Sequence, residues 1–359
     1  MVSNSAMRLR LPLILAALSA LLFFPARSVA DLVWSAGIGW RIEGGALEDF
    51  SSPESRSALA LMNNARSAEE SGRVRSALKS YEKVGKNFPN SVFAAESFYR
   101  TGVLYQQRKQ YYKAFGAYQQ LVNRYPNSEK FSQVIGEQYR IAAQLLEGKR
   151  NYMLGLIPGL KNREKSLEYF EQIVANAPFS DYAPLSLMNV ARGQQKVGNT
   201  EEAIDALDRM INSYPRNVLT PDAYLKLAQT HASLVAGPAY DQQSTKEAIT
   251  YYEDFMILFP GDPGAATAEQ GRADMKRVLA QSKLTIADYY FKYRRNYKAA
   301  KVFYNEAITV FPDSDVAERA RVLLAEVDSR LAGQAPKAVP IDQALPNEKA
   351  KKKKRFFFF

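Results

Sequence analysis

Six prolines punctuate an otherwise helical pattern at comparable points. Twelve positions before each of Pro89, Pro126, Pro178, Pro215, Pro260 and Pro312 stands a small residue: Ala77, Ala114, Ser166, Ala203, Ala248 and Ala300. Eight positions before each stands a bulky apolar one: Tyr81, Tyr118, Phe170, Leu207, Tyr252 and Tyr304. A four-residue offset puts both on one helix face, the small one where a neighbouring helix must approach closely. Proline then ends the helix, because it lacks an amide hydrogen and clashes with the preceding turn. The prolines lie 37, 52, 37, 45 and 52 residues apart, which predicts helix pairs of variable length rather than a strict short repeat.

The pairs are expected over residues 53–88, 91–125, 129–177, 180–214, 219–259 and 264–311, followed by a terminal helix over 315–331. Asn199 with Glu202, and Ser244 with Glu247, have the spacing of capping boxes, while Gly72 and Gly198 fall at turns between paired helices. The third pair carries an insertion around Gly155, Pro158 and Gly159, placed between helices and so on an edge of the solenoid. The first helix of the sixth pair runs without a proline from Ala265 to Arg294. Such a helix extends contacts beyond its own pair and offers a partner surface. Strand alternation is nowhere sustained, so the expected fold is an all-α solenoid of about six helix pairs.

The ends of the chain differ from this body. Arg8 and Arg10 precede an apolar run from Leu11 to Phe24, and Ser28, Val29 and Ala30 supply small residues before Asp31. Residues 1–30 therefore read as an export signal, removed by cleavage or retained as an anchor. Residues 31–52 hold both tryptophans, Trp34 and Trp40, in a glycine-interrupted segment. Rings of that size without a core of their own pack either on the body of the chain or on a partner docked at this N-terminal segment. Residues 53–331 form the solenoid, and residues 332–359 read as a linker followed by a tail. That tail carries Lys351, Lys352, Lys353, Lys354 and Arg355 before Phe356 to Phe359. It suits an anionic lipid surface, or else a solvated extension.

Charge and composition narrow the chemistry. The chain has 48 basic and 37 acidic residues, a net charge of +11. The first 30 residues hold +3 of that and residues 348–355 hold +5, leaving +3 for everything between. A nearly balanced body argues against nucleic acid as a partner, since a nucleic-acid footprint spreads over a folded face. With no cysteine and one histidine, disulfides, thiolate metal sites and cysteine nucleophiles are excluded. His231 sits in a helical string with no ligand spacing, and the stretch from Gly155 to Lys161 lacks a phosphate-loop pattern. No cofactor, metal or catalytic residue is expected, and the composition points to a binding scaffold rather than an enzyme.

The pairs resemble tetratricopeptide repeats, whose second helix carries the small residue, the aromatic and the closing proline in this order. The segment from Thr285 to Pro312, with Ile286-Ala287-Asp288-Tyr289-Tyr290 and Tyr297-Lys298-Ala299-Ala300, is similar to the last repeats of the outer-membrane assembly lipoproteins of the BamD or YfiO family. The general repeat covers about 80% of the chain, and the family likeness is strongest from Ala248 to Pro312. The resemblance implies a right-handed superhelical solenoid in the periplasm, associated with the outer membrane. It implies C-terminal repeats that bind a BamA-like barrel assembly protein, N-terminal repeats that receive unfolded outer-membrane proteins, and contact with other envelope assembly subunits. Two departures stand out: the lipidated cysteine of the family is missing, and there is at least one more helix pair. A periplasmic scaffold for cell-wall synthesis or division is the alternative.

Candidate residues follow from both lines. First helices of a solenoid expose successive residues to an extended ligand, which nominates Tyr99, Tyr105, Tyr139 and Arg140 for client binding. The same rings also suit packing between helices. At the other end, Tyr289, Tyr290, Arg294 and Arg295 fall where the resemblance implies docking of the assembly partner.

Overall fold

A computed structural model of the chain describes residues 31–35, 37–43, 52–238 and 242–333. The expected signal at 1–30 and the basic tail at 351–355 lie outside the described residues. The described residues divide into two compact units, one ending at Val197 and the other beginning at Gly198. The first opens with strands β1 (Asp31–Ser35) and β2 (Gly39–Glu43) and continues with helices α1 (Pro53–Glu70), α2 (Val74–Asn87), α3 (Phe93–Gln107), α4 (Tyr111–Arg124) and α5 (Phe131–Leu146). Short strands β3 (Tyr152–Met153) and β4 (Ile157–Pro158) follow, then α6 (Glu164–Asn176) and α7 (Tyr182–Val197). The second unit holds α8 (Thr200–Ser213), α9 (Thr220–Leu234), α10 (Gln242–Leu258), α11 (Ala265–Asp288), α12 (Tyr297–Val310) and α13 (Asp315–Leu331). Within each unit every helix packs on the next in sequence, the tetratricopeptide arrangement expected from the repeat.

The proline rule is visible at atomic level. Each of the six prolines stands two residues past the last residue of α2, α4, α6, α8, α10 or α12. The residue before a proline is pushed out of the α region. Accordingly Phe88, Tyr125, Ala177, Tyr214 and Phe311 take φ between −147° and −129° and ψ between 52° and 81°. At all six sites the carbonyl of that residue accepts a hydrogen bond from the amide three positions on, at 3.0 to 3.3 Å, with proline second in the turn. Within pairs, Gly72 and Gly198 take φ of +71° and +87°, and Lys109 and Arg295 occupy the matching position at +57° and +48°. The last two are side-chain-bearing residues held in the left-handed region, a local cost of about 1–2 kcal/mol each.

Between the turns, the small and bulky positions form the core. The six small residues are fully buried, as are Tyr81, Tyr118, Phe170, Leu207 and Tyr304, with Tyr252 nearly so. A buried phenol needs a partner for its hydroxyl. Tyr81 donates to Glu69 Oε2 at 2.8 Å, Tyr118 to Gln106 Oε1 at 2.9 Å and Tyr304 to Asp288 Oδ1 at 2.6 Å. Each bond ties the second helix of a pair back to the C-terminal end of the first.

Four expectations need correction. Strands do occur: β1 and β2 form an antiparallel hairpin in which Trp34 faces Trp40, the rings 5.5 Å apart. The alternation that builds it spans only five residues a strand, too short to stand out beside the helical pattern. The insertion is likewise a small hairpin, Met153 pairing with Ile157. Ser244 does not start a helix, because α10 already includes Gln242; Ser244 and Thr245 are buried small residues of its packed face. Asn199 is the N-cap of α8 but makes no side-chain cap bond. Finally α11 stops at Asp288 and the chain passes through a π-helical turn at Tyr289–Tyr293 instead of running as one α-helix to Arg294.

Candidate partner-binding surfaces

The N-terminal candidates sit on α3 and α5. A groove of about 570 Å³ opens between α2, α3 and α4, with Phe98 and Tyr105 as its aromatic lining and Lys86, Lys113 and Arg124 as its cations. Tyr105 donates its hydroxyl to Glu82 Oε1 at 2.5 Å, Lys113 Nζ lies 5.3 Å from the Tyr105 ring, and the Arg124 guanidinium lies 5.8 Å from Phe98. Burial and the hydrogen bond to Glu82 hold the Tyr105 phenol above the ordinary range, so it stays neutral. Gly85 lets the Phe98 ring lie directly against α2, since a Cβ there would lie 2.7 Å from Phe98 Cζ. Two aromatic faces rimmed by cations offer apolar area together with hydrogen-bond donors.

The other three N-terminal candidates are engaged within the fold. Tyr99 is half-buried, accepts a hydrogen bond from Gln133 Nε2 at 2.7 Å, and has Lys130 Nζ 5.4 Å from its ring. Tyr139 is wedged against Phe170 at 5.6 Å and Tyr182 at 5.3 Å, its hydroxyl accepting from Asn189 Nδ2 at 2.9 Å. Arg140 Nη1 donates to both carboxylate oxygens of Glu137, at 2.6 and 2.7 Å, but the side chain stays exposed. Tyr105 lines the groove; Tyr99 and Tyr139 serve packing between helices.

The two tryptophans dock on the chain's own first helices. Trp40 is buried against Ala58, Met62 and Tyr81, with Trp34 and Leu32 packed at the margin of the same cluster. The Trp40 amide donates to Asn63 Oδ1 at 2.9 Å. The Arg66 guanidinium lies 5.2 Å from Trp34 and that of Arg100 lies 5.8 Å from Trp40. Both arginines pair with Glu69, at 3.4 and 3.8 Å, and Glu69 also receives the Tyr81 hydroxyl. The hairpin is thus held by a continuous charged and aromatic network.

At the C-terminal candidate, the π-helical turn sorts its side chains. Phe291 points inward, its ring 5.9 Å from Tyr297 and 6.4 Å from Tyr304. Tyr290 stacks on Phe303 at 5.5 Å with the planes 1° apart. Tyr289, half exposed, lies 6.1 Å from Tyr293, which is 78% exposed. Arg294 and Arg295 follow, both exposed. One extra residue per turn explains the sorting: the widened turn lets Phe291 reach the core while Tyr289 and Tyr293 face outward together. Of the four residues named from sequence, Tyr289, Arg294 and Arg295 are accessible and Tyr290 is a packing residue. Tyr293 was missed; the signal was present in the run Tyr289-Tyr290-Phe291-Lys292-Tyr293, which holds too many aromatics for one helix stripe. Exposed tyrosines beside arginines have the composition of interface hot spots.

His231 is buried on α9, its Nδ1 3.1 Å from Glu247 Oε2 and its ring 5.3 Å from Tyr251. Among the described residues no group of three His, Asp or Glu is arranged to hold a metal ion. No helix of the described residues is long and apolar enough to cross a membrane.

Comparison with known proteins matches residues 160–339 to YfiO, described as an outer membrane lipoprotein, and residues 59–91 and 96–128 to tetratricopeptide repeats. An outer membrane protein assembly factor BamD of Xylella fastidiosa is 21% identical over 175 residues, covering 46% of this chain and 60% of that protein. The BamD of Rickettsia prowazekii is 26% identical over 148 residues, covering 41% and 59%. The chain thus matches about 60% of the length of these curated relatives. A solved tetratricopeptide repeat protein from Parabacteroides merdae aligns over 75% of this chain and 99% of its own, at 12% identity and a TM-score of 0.30.

Proposed function

This chain belongs to the YfiO family of outer membrane lipoproteins, and from that premise we propose that it is a scaffold for the assembly and insertion of outer-membrane β-barrel proteins. Family membership puts it in the periplasm, associated with the outer membrane. The chain is a non-enzymatic tetratricopeptide protein related at low identity to outer membrane assembly factors. Its 359 residues contain no cysteine, so none of them can carry the lipid thioether that the family description implies.

The observation that carries the finer reading is the span of the match. Residues 160–339 include the whole Tyr289–Arg295 surface. In our reading Tyr289, Tyr293, Arg294 and Arg295 dock a BamA-like barrel assembly protein, and the groove at Tyr105 receives extended segments of unfolded outer-membrane proteins. Linking the two sites on one chain raises the effective concentration of client at the insertion machinery without a covalent step.

Crosslinked affinity purification from native envelopes, with an internal tag that leaves both ends free, tests this. Enrichment of a barrel-forming assembly protein with crosslinks near Tyr289–Arg295 is expected. Its reproducible absence, with wall-synthesis or division proteins recovered in its place, would sink the assembly role and leave a scaffold with another task.

A further inference from the structure

The β3–β4 insertion interrupts the helix stack between α5 and α6. It exposes Met153, Leu154, Leu156 and Ile157 around its tip and Leu160 just past its second strand, from 58% at Ile157 to 90% at Leu160. Scattered exposed apolar residues need no explanation, but five within eight positions on one hairpin do. Around them stand Lys149, Arg150, Lys161 and Arg163, all exposed, and no acidic residue occurs from Gly148 to Arg163.

The hairpin is also held in place. The Tyr152 amide donates to the Lys109 carbonyl at 2.8 Å, and the Gly159 amide to the Asn151 carbonyl at 2.8 Å. Arg108 Nη2 donates to the Leu154 carbonyl at 2.7 Å, and the Tyr112 amide to Asn151 Oδ1 at 3.1 Å. Lys109 Nζ lies 5.1 Å from the Tyr152 ring. The base is thus bonded to the α3–α4 turn, and Gly155 admits Arg108 to the tip, where a Cβ would lie 2.9 Å from its Nε.

We propose that this hairpin docks the protein on an anionic lipid leaflet, the five apolar side chains entering the interfacial zone and the four cations lying among the headgroups. Charge complementarity identifies the occupant. From Gly148 to Arg163, between Glu147 and Glu164, every charged residue is basic and flanks the apolar run, the pattern that anionic bilayers attract. Two-residue strands reach only roughly 7 Å, enough for the boundary between headgroups and acyl chains and far short of a span. Fixing the hairpin beforehand removes the ordering cost a flexible loop would bear on binding. Membrane docking here is independent of which partner the tyrosine surface holds.

Because the chain has no cysteine, Leu156→Cys creates a unique labelling site in the full-length protein. An environment-sensitive fluorophore there should shift to the blue and brighten with phosphatidylcholine vesicles containing about 30% phosphatidylglycerol. It should respond far less to pure phosphatidylcholine, and the same dye at Val218→Cys should stay silent. Leu154→Asp with Ile157→Asp should abolish the dye response and weaken co-sedimentation about ten-fold, with circular dichroism unchanged because both residues are exposed. Replacing Lys149, Arg150 and Lys161 with Gln should weaken co-sedimentation with the anionic vesicles by about the same factor. Co-sedimentation with a silent dye at position 156 would assign lipid contact to another part of the chain and overturn the proposal. So would an equal response to neutral vesicles, or a response only to an added unfolded outer-membrane protein.

Discussion

Two glycines one helix apart separate packing from propensity. A Cβ on Gly102 would lie 2.2 Å from Cε1 of the fully buried Tyr118 ring, whereas one on Gly116 meets nothing within 4 Å. Gly102→Ala should therefore destabilise the protein by about 1–3 kcal/mol through overpacking. Gly116→Ala should stabilise it by about 0.5–1 kcal/mol by lowering the entropy of the unfolded chain. Urea melts of both variants check the pair of opposite signs. The buried phenols make a second prediction. Burial and acidic neighbours raise the affinity of Tyr81, Tyr118 and Tyr304 for their protons. The folded state then keeps protons that the unfolded chain releases near pH 10, so this contribution is complete below about pH 10 and is lost as pH rises further. Tyr304→Phe should lose about 1–2 kcal/mol at neutral pH with its bond to Asp288, and show a shallower alkaline decline than the parent in melts across that range. The sequence foretold which tyrosines would be core, because the small residue, aromatic and proline share one register. It could not foretell where their hydroxyls go, since Glu69, Gln106 and Asp288 lie on the preceding helix.

Helix ends were more legible than what lies between them. The proline turns recur at all six sites because the residue before proline is barred from the α region, a purely local effect. Capping was harder to read. Ser314 caps α13, its side chain accepting from the Ala317 amide at 3.1 Å, while Ser244 is buried within α10. Ser314→Ala should cost about 1 kcal/mol, measurable as a lower midpoint in the same urea melts. The N-terminal hairpin escaped the sequence because its stability is tertiary: Trp34 and Trp40 gain their places from Arg66, Arg100 and Asn63, far along the chain. The π-helical turn escaped for a related reason. Only the core positions of Tyr297 and Tyr304 decide that Phe291 must turn inward, and the aromatic run alone does not tell which rings remain outside.

For the molecule as a whole, family membership rests on residues 160–339, and general tetratricopeptide character on residues 59–128. The accessible C-terminal surface lies within the first of these and the aromatic groove within the second. That distribution motivates assigning the assembly partner to one surface and the client to the other. The candidate residues were only partly legible, because a tyrosine on a first helix reads the same whether it lines an open groove, as at Tyr105, or packs on its neighbours, as at Tyr139. The proposed docking of a barrel-forming assembly protein rests on Tyr289–Arg295. Its most direct test is the affinity of the purified chain for the periplasmic part of that protein, with and without Tyr289→Ala, Tyr293→Ala and Arg294→Ala combined. Docking at these residues predicts a loss of at least about ten-fold with the melting temperature unchanged, the magnitude expected when exposed hot-spot residues are truncated. Equal affinity of parent and variant would contradict it.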